Sequence, residues 1–129
     1  MPTIAVIEDD KPIQDLYRTK LELTGFEVIT ADNGADGLQV LEQTVPDLIL
    51  LDLRMPVMSG DEMLQKLRET EWGASIRVIV LTNISRAEAP SSLRFLAVDR
   101  YLVKAHHTPA QVVEVVNEVL YGHKNGPRK

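Results

Sequence analysis

Acidic side chains crowd the end of the first apolar run of the chain. Ile4, Ala5, Val6 and Ile7 are followed directly by three consecutive carboxylates, listed in order as Glu8, Asp9 and Asp10. Adjacent carboxylates repel one another unless a positive charge lies among them. A hard cation such as Mg²⁺ would supply that charge, since it prefers oxygen ligands from one or two carboxylates together with waters and phosphate oxygens.

Three further polar residues each follow an apolar run. Asp52 follows "LILL", Thr82 ends "VIVLT", and Lys104 follows "YLV". Asp52 offers both a metal ligand and a nucleophile that can form an acyl phosphate. Thr82 and Lys104 offer a hydroxyl and an ammonium donor to phosphoryl oxygens. Each residue alone has an ordinary structural interpretation, but their shared position at strand ends favours one phosphate-handling site.

The elements that position these residues alternate regularly. Short runs rich in β-branched residues alternate with longer segments of helical spacing, which predicts an α/β fold with a parallel sheet. The predicted strands are Thr3–Ile7, Phe26–Thr30, Asp47–Leu51, Ile76–Leu81 and Arg100–Val103. The predicted helices are Lys11–Thr24, Ala35–Gln43, Glu62–Leu67, Pro90–Val98 and Pro109–Leu120. Right-handed crossovers then give a doubly wound sheet with helices on both faces, whose ligands bind beyond the carboxyl ends of the strands.

Composition limits the classes of function. The 129 residues include no cysteine, which excludes disulfides, thiolate catalysis and Cys-ligated zinc. No apolar run approaches the roughly 18 residues of a membrane span, and no signal peptide is recognisable, so we expect a cytoplasmic protein with no membrane partner. Residues 1–121 carry 11 basic against 19 acidic side chains, which argues against direct nucleic-acid binding. Residues 122–129 are predicted to form a basic, flexible tail.

Four motifs together resemble a known family. They are "VIEDDKPI", "PDLILLDLRMPVMSG", "VIVLT" and "YLVK", and the second places Asp52, Pro56 and Gly60 in a D-x-x-x-P-x-x-x-G arrangement. In this order and spacing the chain resembles the receiver domain of two-component response regulators, in particular the single-domain regulators of the chemotaxis type. The resemblance covers about residues 3–121. It implies a flavodoxin-like, five-stranded parallel sheet of order 2-1-3-4-5, which periodicity alone cannot supply.

The resemblance also implies a role for each site residue. Asp52 is the expected phosphoacceptor, with Thr82 as the switch hydroxyl and Lys104 pairing with the phosphoryl group. Tyr101 matches the aromatic residue that turns inward on activation. The implied Mg²⁺ ligands are Glu8, Asp9, Asp52 and the backbone carbonyl of Arg54. Asp10 lies one place beyond the acidic pair, before Lys11-Pro12, and is expected to cap the first helix.

The implied function is a signalling switch rather than an enzyme. A histidine kinase, a phosphotransfer protein or a small phosphodonor would phosphorylate Asp52 with Mg²⁺. The phosphate would then shift the loop after the fourth strand. A downstream protein would read the face formed by the fourth helix, the fifth strand and the fifth helix.

The chain departs from the family pattern at three places. Ala105 stands where the family commonly has a proline joined by a cis bond, and a non-proline cis bond costs about 2.5–4 kcal/mol, so we predict a trans Lys104–Ala105 peptide. Asn83 replaces a small residue beside Thr82, which predicts an atypical lifetime of the acyl phosphate. Ala97-Val98 replaces a Gly-Ala pair, which predicts an altered output face. His106 and His107 are interpreted as solvated loop residues.

Other functions are compatible with parts of the sequence. A degenerate receiver that binds a protein constitutively is one alternative. A phosphohydrolase of the haloacid dehalogenase type would want a second aspartate two residues after Asp52, where this chain has Arg54. A flavodoxin-like cofactor binder would want a glycine-rich phosphate loop after the first strand, which the sequence lacks.

Overall fold

Five parallel strands form a single sheet in a computed structural model that describes residues 1–122. The spatial order is β2-β1-β3-β4-β5, as predicted. The strands are β1 (Thr3–Ile7), β2 (Glu27–Ala31), β3 (Leu48–Leu51), β4 (Arg77–Thr82) and β5 (Arg100–Val103). The central strands β1, β3 and β4 are apolar almost throughout because both faces of the sheet are covered.

Four α-helices cover the two faces of the sheet. They are α1 (Lys11–Leu23), α2 (Gly34–Gln43), α3 (Gly60–Arg68) and α4 (Pro109–Tyr121). α1 and α4 pack on one face over a core that contains Tyr17, Leu21 and Val116. α2 and α3 pack on the other face over Leu41, Met63 and Leu64. The helices on both faces confirm the doubly wound architecture.

Two of the helices that follow strand ends, α1 and α4, begin at side-chain caps. Asp10 accepts a hydrogen bond at Oδ1 from the backbone N–H of Ile13 at 3.2 Å, so it caps α1 as predicted. Thr108 and Gln111 form a reciprocal capping box at the start of α4, with Pro109 at its first position. These caps fix where the chain turns from strand ends into helices.

The predicted fourth helix, Pro90–Val98, is wrong. Its place between β4 and β5 is taken by two short 3-10 turns, Arg86–Glu88 and Ser91–Phe95. Ala89 lies between them in an extended conformation, with ψ of 148°, because a residue before proline is disfavoured in the α region. Leu93 and Leu96 still reach the core, so the apolar spacing that suggested a helix is satisfied by a tighter coil.

Arg68, at the end of α3, holds the far end of this segment. Its guanidinium donates to the carbonyl oxygens of Leu96 at 2.9 Å and Ala97 at 3.1 Å, and also to those of Gly73 and Ile76. Ala97 has a φ of 53°, a left-handed conformation that costs a non-glycine residue about 1–2 kcal/mol. The arginine therefore secures a strained turn at the place where the sequence lacks the family's glycine.

Three further expectations concern the ends and loops of the chain. The Lys104–Ala105 peptide is trans, which confirms the prediction. Within residues 1–122, no helix is long and apolar enough to cross a membrane. The predicted basic tail lies outside the described residues, except for Gly122.

Candidate functional site

Strand register brings the polar residues of the sequence motifs to one edge of the sheet. Ile7 of β1 pairs with Leu51 of β3, so the next residues, Glu8 and Asp52, leave the sheet side by side. Thr82 pairs with Val103, which places Lys104 one step beyond the end of the ladder. Because all the strands are parallel, their carboxyl ends share this edge.

Lys104 lies between the two buried carboxylates. Its Nζ donates to Oδ2 of Asp52 at 3.1 Å and also to Oε1 of Glu8. The three side chains are nearly closed to solvent, with exposed fractions of 11% for Lys104, 6% for Glu8 and 9% for Asp52. Burial lowers the pKa of Lys104, but the bonds to the two carboxylates outweigh burial, so its pKa is raised and the ammonium stays charged.

Burial disfavours the charged form of Glu8. Burial raises the pKa of Glu8 from 4.5 to about 7, although the bonds from Lys104 and from the backbone N–H of Asp10 oppose that rise. The charge of Asp52 adds to the cost of ionising Glu8. A divalent cation at this edge would hold Glu8 in its charged form.

This raised pKa predicts a pH dependence of stability in the metal-free protein. Folded Glu8 keeps its proton up to about pH 7, whereas unfolded Glu8 loses it near pH 4.5. The contribution of Glu8 to the unfolding free energy is therefore fully present below pH 4.5 and is lost as pH rises through about 7. We expect the unfolding free energy to fall by about 1–3 kcal/mol more between pH 5 and pH 8 in the wild type than in Glu8→Gln. Urea unfolding in EDTA measures this difference, and equal pH profiles of the two proteins would contradict it.

Backbone groups of the loop after β3 hold the Asp52 carboxylate. Oδ1 of Asp52 accepts from the N–H of Leu53 at 2.7 Å and from that of Arg54 at 3.4 Å. The loop returns to α3 through the N–H of Gly60, which donates to the Leu53 carbonyl at 2.9 Å. A Cβ at Gly60 would overlap the carbonyl oxygen of Asp52, so this close return requires glycine. The glycine of the D-x-x-x-P-x-x-x-G motif thus has a steric reason.

Three carboxylates form a group suited to a metal ion. Glu8, Asp9 and Asp52 each offer an oxygen, and these oxygens lie within 4.8 Å of one another. Asp9 is exposed, whereas the other two are buried, so the group faces solvent on one side. An all-oxygen set of this charge fits Mg²⁺, which retains several waters when it binds protein carboxylates. Arg54, the fourth predicted ligand through its carbonyl, follows Asp52 by two residues and lines the adjoining cavities.

Thr82 is buried beside Asp52 at the end of β4. Its exposed fraction is 1%, and its hydroxyl accepts from the N–H of Ile84 at 3.4 Å. A cavity of about 240 Å³ opens above it and is lined by Asp52, Arg54, Thr82, Asn83, Ile84 and Glu88. This cavity is large enough for a phosphoryl group in contact with both Asp52 and Thr82.

Tyr101 does not join the carboxylate cluster. Its hydroxyl donates to the backbone carbonyl of Ile84 at 2.7 Å, in the loop that begins at Thr82. The guanidinium of Arg86 lies over its ring, 5.8 Å from the centroid. Tyr101 is therefore linked to the site through the loop after β4 rather than by direct contact.

Two residues of the site were missed by sequence reasoning. Gln14 is 2% exposed, and its Nε2 donates to the carbonyls of Glu8 at 2.9 Å and Ala31 at 3.1 Å, which ties the turn after β1 to the end of β2. A signal for it existed, since Gln14 lies three residues before Tyr17 on the apolar side of α1. Glu88 lines the cavity above Asp52, and no sequence pattern indicated this, because Glu88 lies on a short turn, Arg86–Glu88, for which no structure was predicted.

Comparison with protein families gives a match over most of the chain. The family sequence model described as "Response regulator receiver domain" matches residues 4–117 of this chain. The Phosphate regulon transcriptional regulatory protein PhoB of Rhizobium meliloti is 37% identical over 117 residues, which are 89% of this chain and 51% of that protein. The chain spans about half the length of this and two other curated relatives.

Solved structures agree in fold. A CheY-like response regulator receiver domain protein from Methanospirillum hungatei superposes with a TM-score of 0.85 at 28% identity, covering 93% of this chain and 94% of that one. The response regulator protein TrrA from Thermotoga maritima, solved in complex with Mg²⁺-BeF, gives a TM-score of 0.72 at 33% identity. The match covers 81% of this chain and 87% of the TrrA chain.

Proposed function

Because the chain belongs to the response regulator receiver domain family, we propose that Asp52 is its phosphoacceptor and that phosphorylation switches the domain between two states. Receiver domains are phosphoacceptor signalling modules that interact with histidine kinases and phosphodonors, and they are not conventional enzymes. The observation that carries the proposal is the contact of Asp52 with Lys104 inside the carboxylate group of Glu8 and Asp9. We expect the donor to be a histidine kinase, a phosphotransfer protein or a small phosphodonor, acting in the cytoplasm.

The charges of the site suit phosphoryl transfer, which depends on positioning and charge stabilisation more than on covalent help from the protein. Mg²⁺ would be held by Glu8, Asp9, Asp52 and the Arg54 carbonyl, where it would neutralise the carboxylates and the incoming phosphoryl oxygens. Asp52 supplies the attacking oxygen, and its carboxylate is held in place by the backbone N–H of Leu53, which donates to Oδ1. Lys104, already bonded to Asp52, is placed to pair with the transferred group.

The switch follows from the loop that joins Thr82 to Tyr101. A phosphoryl group on Asp52 would attract the Thr82 hydroxyl, which now accepts from the N–H of Ile84. Moving Thr82 moves the Ile84 carbonyl, which is the acceptor of the Tyr101 hydroxyl. We propose that this chain of contacts shifts a pre-existing equilibrium of the loop and of Tyr101, which acts as the aromatic switch.

The output face is the surface formed by the two 3-10 turns, β5 and α4. A cavity of about 620 Å³ lies there between the two turns and Tyr101, with Arg86 and Arg94 among its lining residues. Neither arginine forms an ion pair with another residue in the range 1–122. We propose that a downstream protein presents an acidic segment to this face, since the rest of the domain is acidic and would repel such a segment.

Two neighbouring aspartates provide a matched test of the metal site. We expect Asp9→Asn to weaken Mg²⁺ binding by at least about tenfold, because it removes one anionic ligand. Asp10→Asn should leave the affinity nearly unchanged, because Asp10 caps α1 and asparagine caps equally well. Calorimetric titration of both variants with Mg²⁺ measures the difference.

The outcome also separates the proposed switch from its alternative. An equal loss of affinity in both variants would contradict the division of roles between Asp9 and Asp10. No Mg²⁺ binding by the wild type would favour a degenerate receiver that binds its partner constitutively.

A further inference from the structure

An acidic side chain stands at the mouth of the cavity into which a phosphoryl group must enter. Glu88 lies on the first 3-10 turn and lines the same cavity of about 240 Å³ as Asp52 and Thr82. The residue is exposed, whereas Asp52 and Thr82 are buried, so Glu88 is at the solvent side of the cavity. Nothing in the proposed mechanism uses a carboxylate at this position.

The Glu88 carboxylate is held in place by its own turn. The hydroxyl of Ser85, the cap residue of the turn, donates to Oε1 of Glu88 at 2.9 Å. No cation within residues 1–122 forms an ion pair with it. Its charge is therefore uncompensated by direct contact and, together with that of Arg54 in the same cavity lining, acts on whatever passes from solvent to Asp52.

We propose that Glu88 is a specificity-determining residue that selects against dianionic small phosphodonors relative to donors of lower charge. The inference rests on the proposed role of Asp52 as the phosphoacceptor. As a donor approaches, its phosphoryl group passes a negative charge at the protein surface, where charges repel each other more strongly than in bulk water. Repulsion grows with donor charge, so a dianion is slowed more than a monoanion.

Two small donors of different charge make the inference measurable. Acetyl phosphate is a dianion at neutral pH, and phosphoramidate is a monoanion overall. In each reaction an Asp52 carboxylate oxygen forms a bond to phosphorus. The bond from phosphorus to the leaving group breaks at the same time, and acetate or ammonia departs. The rate constant for each donor, with Mg²⁺, is read from the intact mass of the protein over time.

We expect Glu88→Gln to react about three- to tenfold faster than the wild type with acetyl phosphate at low ionic strength, and to gain less with phosphoramidate. The ratio of the variant's rate constant to that of the wild type should fall towards one at about 0.5 M salt, because salt screens the repulsion between Glu88 and the donor. Glutamine can still accept the Ser85 hydroxyl bond, so the turn keeps its conformation. Glu71→Gln is the matched control, since Glu71 is exposed and lines none of the cavities at the site.

The donor comparison and the salt dependence are readouts that a purely structural role of Glu88 would not move. Unchanged rates in Glu88→Gln, or an equal gain with both donors at every salt concentration, would overturn the inference while leaving Asp52 as phosphoacceptor. An unchanged rate of phosphorylation with a slower loss of the phosphate would also overturn it, because it would indicate a role in hydrolysis. If neither donor modifies the wild type, the proposed function of Asp52 fails, and this inference fails with it.

Discussion

Replacing Asp52 with asparagine is expected to slow Mg²⁺-dependent modification by acetyl phosphate by at least about 100-fold, to the background level. Asparagine keeps the size of the side chain and the acceptor for the Leu53 N–H, but its amide is not a nucleophile. It also removes the negative charge that pairs with Lys104. Time-resolved intact-mass measurement of the wild type and Asp52→Asn gives the two rates.

The loss of modification by acetyl phosphate must be specific to the Asp52 carboxylate. Asp15→Asn is a suitable control, because Asp15 is an exposed residue of α1 whose ion pair with Arg18 lies away from the site. That variant should be modified at the wild-type rate. Equal rates in Asp52→Asn and the wild type would contradict the assignment of the phosphoacceptor, and urea unfolding checks that the variant is folded under the assay conditions.

Gly60→Ala is expected to lower the unfolding free energy by about 2–4 kcal/mol. The new Cβ would overlap the backbone carbonyl of Asp52, and neither group belongs to a flexible side-chain end that could move aside. The loop after β3 must therefore open, which displaces the Asp52 carboxylate from its backbone donors. Urea unfolding measures the stability loss, and slower modification of the variant should accompany it.

Gly37→Ala is the matched control for this prediction. Gly37 lies inside α2, and its nearest neighbour across the core would be the Sδ of Met63 at 3.0 Å, the end region of a flexible side chain. The gain in helix propensity of up to about 1 kcal/mol should offset that contact, so Gly37→Ala should stay within about 1 kcal/mol of the wild type. If Gly60→Ala were as stable as Gly37→Ala, the steric account of the motif would be wrong.

The local sequence pattern predicted the ends of the strands well, because the change from apolar to polar residues at a strand end involves only neighbouring positions. Apolar runs that stop at Glu8, Asp52 and Lys104 mark where buried strands leave the sheet, and parallel topology brings those ends together. The cap at Asp10 was also predictable, since its oxygen acts on an N–H only three residues away. The order of the strands came from the family resemblance and not from periodicity, which is indifferent to which strands are neighbours.

Long-range contacts explain what the sequence did not predict. The segment between β4 and β5 has the apolar spacing of a helix, but Pro90 and the carbonyl bonds made by Arg68 favour two tighter turns. The partners of Arg68 lie up to 29 residues away, so no local pattern identifies them. Gln14 was hidden for a similar reason, because its acceptors come from β1 and β2. The position of Glu88 above Asp52 follows from the same turns.

The most direct test of Asp52 as the phosphoacceptor is to locate the phosphoryl group on the chain. The wild type would be treated with Mg²⁺ and acetyl phosphate, the acyl phosphate reduced with borohydride to homoserine, and the peptides sequenced by mass spectrometry. We predict homoserine at residue 52, and its absence when Mg²⁺ is replaced by EDTA. Homoserine at another carboxylate, or unmodified Asp52 with Mg²⁺ present, would contradict the central claim.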